Sequence, residues 1–187
     1  CQARMKQLGL KNEEELQGWF NNQIMHYVKD KGKRLIGWNE ILAAGNLDRS
    51  VIGQYWTAKR DKHAERYVEN GGNLILSNHR SFYFDMTYAQ YPLQNTYDYS
   101  LKRHHISPQA QKNILGVEAE LWTEWIDGVP KLELNAFPRV QALAEVAWSP
   151  EERKNFSDFK SRLDAFKPTL DRLGINYAVD KVSMPQG

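Results

Sequence analysis

A chain of 187 residues is one ordinary domain or a piece of a larger one. Hydrophobic residues make up 41% and charged residues 26%, which rules out a disordered or collagen-like chain. With 25 Lys and Arg against 23 Asp and Glu, the net charge is only +2, too little to make an electrostatic case for nucleic acid.

The opening CQARMKQLG carries no initiator Met, signal peptide or targeting pattern. It reads like the interior of a helix, so the expectation is that the chain continues something larger. Leu16, Phe20, Ile24 and Val28 recur every four residues and predict a helix over 13–29 with that face inward. Asn12 with Glu15 resembles a capping box at its start. Short apolar strands are predicted at 34–38, 51–56, 73–77 and 114–121. A helix over 58–70 ends at Gly71-Gly72, a left-handed cap. Residues 78–107 are too long for a simple connector and read as a functional loop with short helical turns. Helix is expected over 132–148, with a start or kink near Pro138. Ser149-Pro150-Glu151-Glu152 is a helix-start signal with Pro at the first helical position. Phe159, Leu163, Phe166, Leu170 and Leu173 line a last amphipathic helix that ends at Gly174, with a kink expected at Pro168. Residues 1–180 form the domain and 181–187 a frayed C-terminal tail.

Strands that alternate with helices predict βα units around a parallel sheet. About four strands are present, whereas a complete (β/α)8 barrel takes about 250 residues. The expected fold is therefore α/β, about half of a (β/α)8 barrel. No apolar run approaches the roughly 20 residues that cross a bilayer. The single cysteine, Cys1, allows neither an intramolecular disulfide nor a cysteine-based zinc site.

Ligand-binding residues of parallel α/β arrays sit at the C-terminal strand ends. Here those ends carry aromatics and carboxylates: Gly37-Trp38-Asn39-Glu40, Gln54-Tyr55-Trp56, Ser81 to Asp85 (SFYFD), and Glu120 to Trp125 (ELWTEW). With a strand period of two, Tyr83 and Asp85 share a face if that piece is extended. Glu118, Glu120, Trp122 and Glu124 share another, leaving Val117, Ala119 and Leu121 to pack against helices. Trp faces match the apolar C–H faces of a pyranose, and carboxylates accept hydrogen bonds from hydroxyl pairs. Trp38, Trp56 and Trp122 are therefore read as pocket residues, and Trp19, Trp125 and Trp148 as core. Glu118 and Glu120 are open to either a ligand role or a structural role inside the barrel.

These segments, with Tyr83-Phe84-Asp85, Gly116 to Glu124 (GVEAELWTE) and Phe137 to Trp148 (FPRVQALAEVAW), resemble the C-terminal half of the catalytic barrel of family 20 glycoside hydrolases, the β-N-acetylhexosaminidases. The resemblance covers nearly the whole chain. It implies retaining hydrolysis of terminal β-linked N-acetylglucosamine or N-acetylgalactosamine, with the substrate's own acetamido group as nucleophile. It implies that Trp38, Trp56 and Trp122 wall the sugar pocket, that Tyr83 donates to the acetamido oxygen, and that Asp85 and Glu124 hold sugar hydroxyls. The partners implied are N-acetylhexosamine-containing glycans, with no cofactor and no metal. A periplasmic, extracellular or lysosomal-type compartment also follows from the resemblance alone.

One departure is decisive: the family's catalytic Asp-Glu pair, which follows a Gly-Gly, is absent, because no Asp-Glu dipeptide occurs in the chain. The expectation is a second half lying just past the catalytic acid and inactive on its own. The alternatives are a non-catalytic carbohydrate-binding half barrel and an inactive fragment. Two open sheet edges predict self-association or marginal stability. His104-His105 reads as loop rather than metal ligand, Gly71-Gly72 as a helix stop rather than a phosphate loop, and Lys29 to Arg34 (KDKGKR) as a solvated turn.

Overall fold

The computed structural model of the protein describes residues 1–183. They fall into two compact units, Cys1–Leu76 with Lys102–Gly116, and Ser77–Leu101 with the chain from Val117 onward.

The first unit opens with α1 (Gln2–Leu8), closed by Gly9 at φ 67°. Helix α2 (Glu13–Asp30) is capped as its sequence predicts, with the Asn12 side chain accepting from the Glu15 N–H at 2.9 Å. The Glu15 carboxylate reaches back to the Lys11 N–H at 2.9 Å, one residue earlier than a standard box. The inward face is not the predicted one. Phe20 is 57% exposed and Ile24 is also exposed, whereas Gly18 and Met25 are buried. Polar contacts set this rotation. Asn22 Nδ2 donates to the Asn46 carbonyl at 2.8 Å and Asn46 Nδ2 to the Glu15 carbonyl at 2.9 Å. Gly18 lies against Ala44 and Asn46, where a side chain would collide.

Strands β1 (Ile36–Trp38), β2 (Ile52–Tyr55), β3 (Asn73–Leu76) and β4 (Ile114–Val117) form one sheet in the order β1-β2-β3-β4. β1 with β2 and β2 with β3 are parallel. Register puts Trp38 beside Gln54 and Gly53 beside Leu74. A Cβ at Gly53 would meet Leu74 Cδ2 at 2.5 Å and Leu42 Cδ1 at 2.8 Å, so the sheet needs glycine there to admit both leucines. The fourth strand stops four residues before its predicted end.

Helix α3 (Asp61–Glu69) follows a short 3-10 turn at Ala58–Arg60. It stops at Gly71, whose φ of 86° favours glycine, and the Gly71 and Gly72 N–H groups donate to Val68 and Tyr67 carbonyls at 2.9 and 3.0 Å. Residues 102–116 are strapped along α3: the His105 N–H donates to Glu65 at 2.8 Å, Ser107 Oγ to Glu69 at 2.9 Å, and Asn113 Nδ2 to the Val68 carbonyl at 3.1 Å. The His104 ring meets the Tyr55 ring edge-on at 5.0 Å. The two histidines are thus engaged in loop packing. Among the described residues, no group of three or more His, Cys, Asp or Glu could hold a metal ion.

In the second unit the loop condenses into α4 (His79–Phe82) and α5 (Leu93–Tyr97). The predicted 132–148 helix is two: α6 (Val129–Ala136) and α7 (Arg139–Trp148), broken at Phe137-Pro138. The Pro150 signal starts only a 3-10 turn, Glu151–Arg153. The long helix α8 (Phe156–Leu173) starts instead at Asn155, whose side chain accepts from the Asp158 N–H at 3.1 Å, and it ends at Gly174 with φ 70°. Pro168 lies inside it. Tyr88, Leu93, Tyr97, Ala142, Phe159, Leu163 and Ala178 form the core between these helices. A final turn, α9, spans Asp180–Ser183, and the remainder of the expected tail, 184–187, lies outside the described residues. Among the described residues no helix is long and apolar enough to cross a membrane.

Gly72 lies directly beneath the Tyr67 ring, whose hydroxyl is tied to the Val51 carbonyl at 2.6 Å. Gly72→Ala would force that anchored ring aside and should cost about 1–3 kcal/mol. Urea unfolding followed by Trp fluorescence checks this; an unchanged midpoint would mean that the ring is not held.

Candidate active site

Two candidate residues, Trp38 and Trp56, belong to the first unit; Tyr83, Asp85, Trp122 and Glu124 belong to the second. In the first unit, Trp38 ends β1 and leads into a 3-10 turn, Asn39–Ala43. Asn39 is fully buried. Its amide brackets the end of β2, accepting from the Trp56 N–H at 3.1 Å and donating to the Thr57 carbonyl at 3.2 Å. Glu40, the next residue, accepts the Trp56 indole N–H at 2.9 Å. Both tryptophans are half-buried. The Trp56 ring is therefore held by its polar edge.

In the second unit, Tyr83 follows α4 directly and forms an isolated parallel bridge with Glu120. The Phe84 N–H donates to the Glu120 carbonyl at 2.8 Å and the Glu120 N–H to the Phe82 carbonyl at 2.9 Å. This single bridge brings the two decorated segments together. Tyr83 and Asp85 are 9% and 7% exposed. They do not lie on one extended strand, because the chain turns after Tyr83. The Tyr83 and Trp122 rings sit 6.3 Å apart, tilted by 56°, and Trp122 presents 45% of its surface to solvent. Glu124 is exposed in a 3-10 turn, Thr123–Trp125.

Asp85 is the electrostatic focus. Burial raises its carboxyl above the ordinary carboxylate range, and the Glu124 charge adds to this; its own backbone N–H, His79 and Arg139 oppose it. Among the described residues, Oδ1 of Asp85 is buried without a hydrogen-bond partner. Glu120 is buried and Glu118 exposed. The two-residue alternation predicted through 118–124 is not kept, because the strand ends at Val117. The tryptophans read as core are not core either: Trp125 is 65% exposed, Trp148 is 87% exposed, and the half-buried Trp19 has the Arg4 guanidinium 4.8 Å from its ring.

Sequence reasoning placed Asn39 and Glu40 at the first strand end and Arg139 in a resembling segment without giving them a role, and passed over His79. Arg139 is 1% exposed. It donates to the carbonyls of Phe84 at 3.0 Å, Met86 at 2.8 Å and Tyr91 at 2.7 Å, and lies 3.7 Å from the Tyr88 ring. Burial pulls its guanidinium down to about 10, against the attraction of Tyr88 and Asp85. The available signal was one charge set in the apolar run FPRVQALA.

A short parallel α/β sheet with aromatic and acidic residues after its strands defines an α/β class whose candidate ligand residues lie at the strand ends. The model of the glycosyl hydrolase family 20 catalytic domain matches residues 1–151, and the chain belongs to that family. It is 34% identical to a beta-hexosaminidase of Porphyromonas gingivalis over all of this chain and 25% of that protein. It is 29% identical to a beta-N-acetylhexosaminidase of Cellulomonas fimi over 84% of this chain and 34% of that one. The exo beta-N-acetylglucosaminidase of Vibrio harveyi, solved with N-acetylglucosamine, superposes with a TM-score of 0.81 at 28% identity, covering 96% of this chain and 30% of that one. The chain thus spans a quarter to a third of the length of these relatives, and its fold is part of a (β/α)8 barrel.

Because the folded carboxyl of Asp85 is raised, its charged form opposes folding above the unfolded value of 3.8, and that cost vanishes below it. Asp85→Asn should therefore raise the thermal midpoint at pH 7, with no gain at pH 3. Melting curves at the two values test this; a loss of stability at pH 7 would contradict it.

Proposed function

We propose that this chain supplies the acetamido- and hydroxyl-holding residues of a retaining β-N-acetylhexosaminidase acting on terminal β-linked N-acetylglucosamine or N-acetylgalactosamine. The observation that carries the reading is the buried Tyr83 phenol beside the accessible Trp122, together with a buried Asp85 oxygen, two residues on, without a partner among the described residues. A buried acceptor of this kind suits a ligand hydroxyl, since leaving it unmade costs about 1–3 kcal/mol. In this reading Tyr83 donates its O–H to the acetamido carbonyl oxygen, which attacks the anomeric carbon and closes an oxazolinium ring. Water opens the ring from the same face that the aglycone left, so configuration is retained. Asp85 and Glu124 accept from sugar hydroxyls. Trp122 stacks on an apolar sugar face, and the resemblance assigns the same kind of role to Trp38 and Trp56. Exclusion of water by the rings strengthens the polar contacts.

The step that this chain does not provide is protonation of the leaving oxygen. No Asp-Glu dipeptide is present. Glu120 is buried with its backbone in the bridge, and Glu124 is assigned to hydroxyls. The 187 residues by themselves therefore bind the sugar without cleaving it. The exposed rings of Phe20 and Trp148 and the open edges at β1 and β4 favour association of the isolated chain with a second copy.

In a polypeptide that supplies the acid, Tyr83→Phe should lower turnover of an aryl N-acetylglucosaminide about 10²–10³-fold, with a smaller effect on KM. Unchanged turnover would remove Tyr83 from the mechanism. The chain alone should release no chromophore from the same substrate, should bind an N-acetylglucosamine-derived thiazoline by calorimetry, and should elute above its monomer mass in light scattering. Turnover by a stable monomer, lost on mutating Glu118, Glu120 or Glu124, would show that the acid lies within the chain.

A further inference from the structure

Tyr83 is buried, but burial alone does not aim a phenol. Its ring is met by the imidazole of His79, four residues earlier, at 4.9 Å and 72°. Helix α4 creates this contact: residues at i and i+4 lie on one face, and His79 opens the helix that Tyr83 closes. The other side of the imidazole is held by Tyr91. The two rings are 5.5 Å apart at 81°, and the Tyr91 hydroxyl approaches His79 Nδ1 at 3.4 Å. Tyr91 is anchored in turn, because its carbonyl accepts from Arg139 at 2.7 Å. A chain of contacts thus runs from the buried guanidinium through Tyr91 and His79 to the Tyr83 ring.

We propose that His79 is a positioning residue for Tyr83, fixing the plane of its ring and so the direction of its hydroxyl toward an N-acetyl group. This rests on the reading that Tyr83 donates to the acetamido oxygen. Trp122, 6.3 Å from Tyr83 and 45% exposed, can face a sugar while the imidazole meets the phenol ring from within. The protonation state of His79 supports the geometry. Burial lowers its affinity for a proton and Arg80 lowers it further, while Asp85 opposes both. Around this group stand Arg80 on its own helix, Asp85 in the following turn with Glu124 and Arg139 acting on it, and the phenols of Tyr83 and Tyr91. The neutral ring is therefore the form present at pH 7, and its Nδ1 can accept the Tyr91 hydroxyl proton.

The experiment uses the 187-residue chain labelled with 13C in its tyrosine rings, with the Tyr83 resonance assigned by Tyr83→Phe. In the ligand-free chain, the Tyr83 ring signal should shift with the His79 imidazole titration, at a midpoint below the ordinary 6.5. His79→Ala should abolish that shift and weaken binding of the N-acetylglucosamine thiazoline about tenfold, the scale of one misaligned hydrogen bond. His79→Phe keeps an edge-on ring without a titrating nitrogen; it should restore affinity to within about twofold but not the pH-dependent shift. Tyr91→Phe removes the donor that favours the neutral ring and should raise the His79 midpoint. A Tyr83 signal that ignores pH and is unmoved in His79→Phe and Tyr91→Phe overturns the proposal, even if His79→Ala fails to fold. If Tyr83→Phe itself leaves thiazoline affinity unchanged while the ring signal still follows His79, the positioning stands and the acetamido reading falls.

Discussion

The candidate catalytic loop of the second unit depends on one buried cation. Arg139 gives up water for three carbonyls and an aromatic face, and those carbonyls belong to Phe84, Met86 and Tyr91. A turn between a short helix and α5 has few backbone partners of its own. Without a fork of donors at its centre, its carbonyls would be desolvated and unmade. A lysine presents a point charge rather than a planar fork and could not span the three acceptors in the same geometry. Neighbouring groups complete the support: Asn135 Nδ2 lies 3.4 Å from the Asp85 carbonyl, and the Tyr88 hydroxyl donates to the Phe137 carbonyl at 3.0 Å. Helices α6 and α7 thus act as a platform for the candidate site residues of the second unit.

The first unit solves a similar problem without charge burial. Asn39 uses both ends of one amide to hold the chain at the end of β2, and Glu40 takes the indole N–H of Trp56. In both units the side chains that hold the candidate residues are buried or half-buried polar groups. Asp85 shows the cost of this arrangement: its carboxylate is kept out of water, close to the Glu124 charge, where folding alone would prefer it neutral.

Local patterns were read correctly where one strong preference acted alone. The four short apolar runs became four strands, the Asn12 cap and the glycine stops at Gly71 and Gly174 appeared where expected, and the break at Pro138 separated two helices. Patterns failed where two signals competed. The Leu16, Phe20, Ile24 and Val28 stripe lost to the asparagine contacts and to the close approach at Gly18. Pro150 lost to Asn155, which caps α8 just before its first apolar residue, Phe156. The alternation through 118–124 failed because the strand stops at Val117 and leaves only the bridge at Glu120.

The family was written in the residue types and motifs along the chain. The order of those segments was enough to name the family and the αβ class. Position and state were set by packing. That Tyr83 meets Trp122, that Asp85 is buried near Glu124, and that Arg139, Asn39 and His79 hold the others, all follow from contacts between residues up to 55 apart in the chain. Such contacts leave no periodic trace, because each is made once, between one side chain and a backbone group or ring that only the folded chain brings within reach.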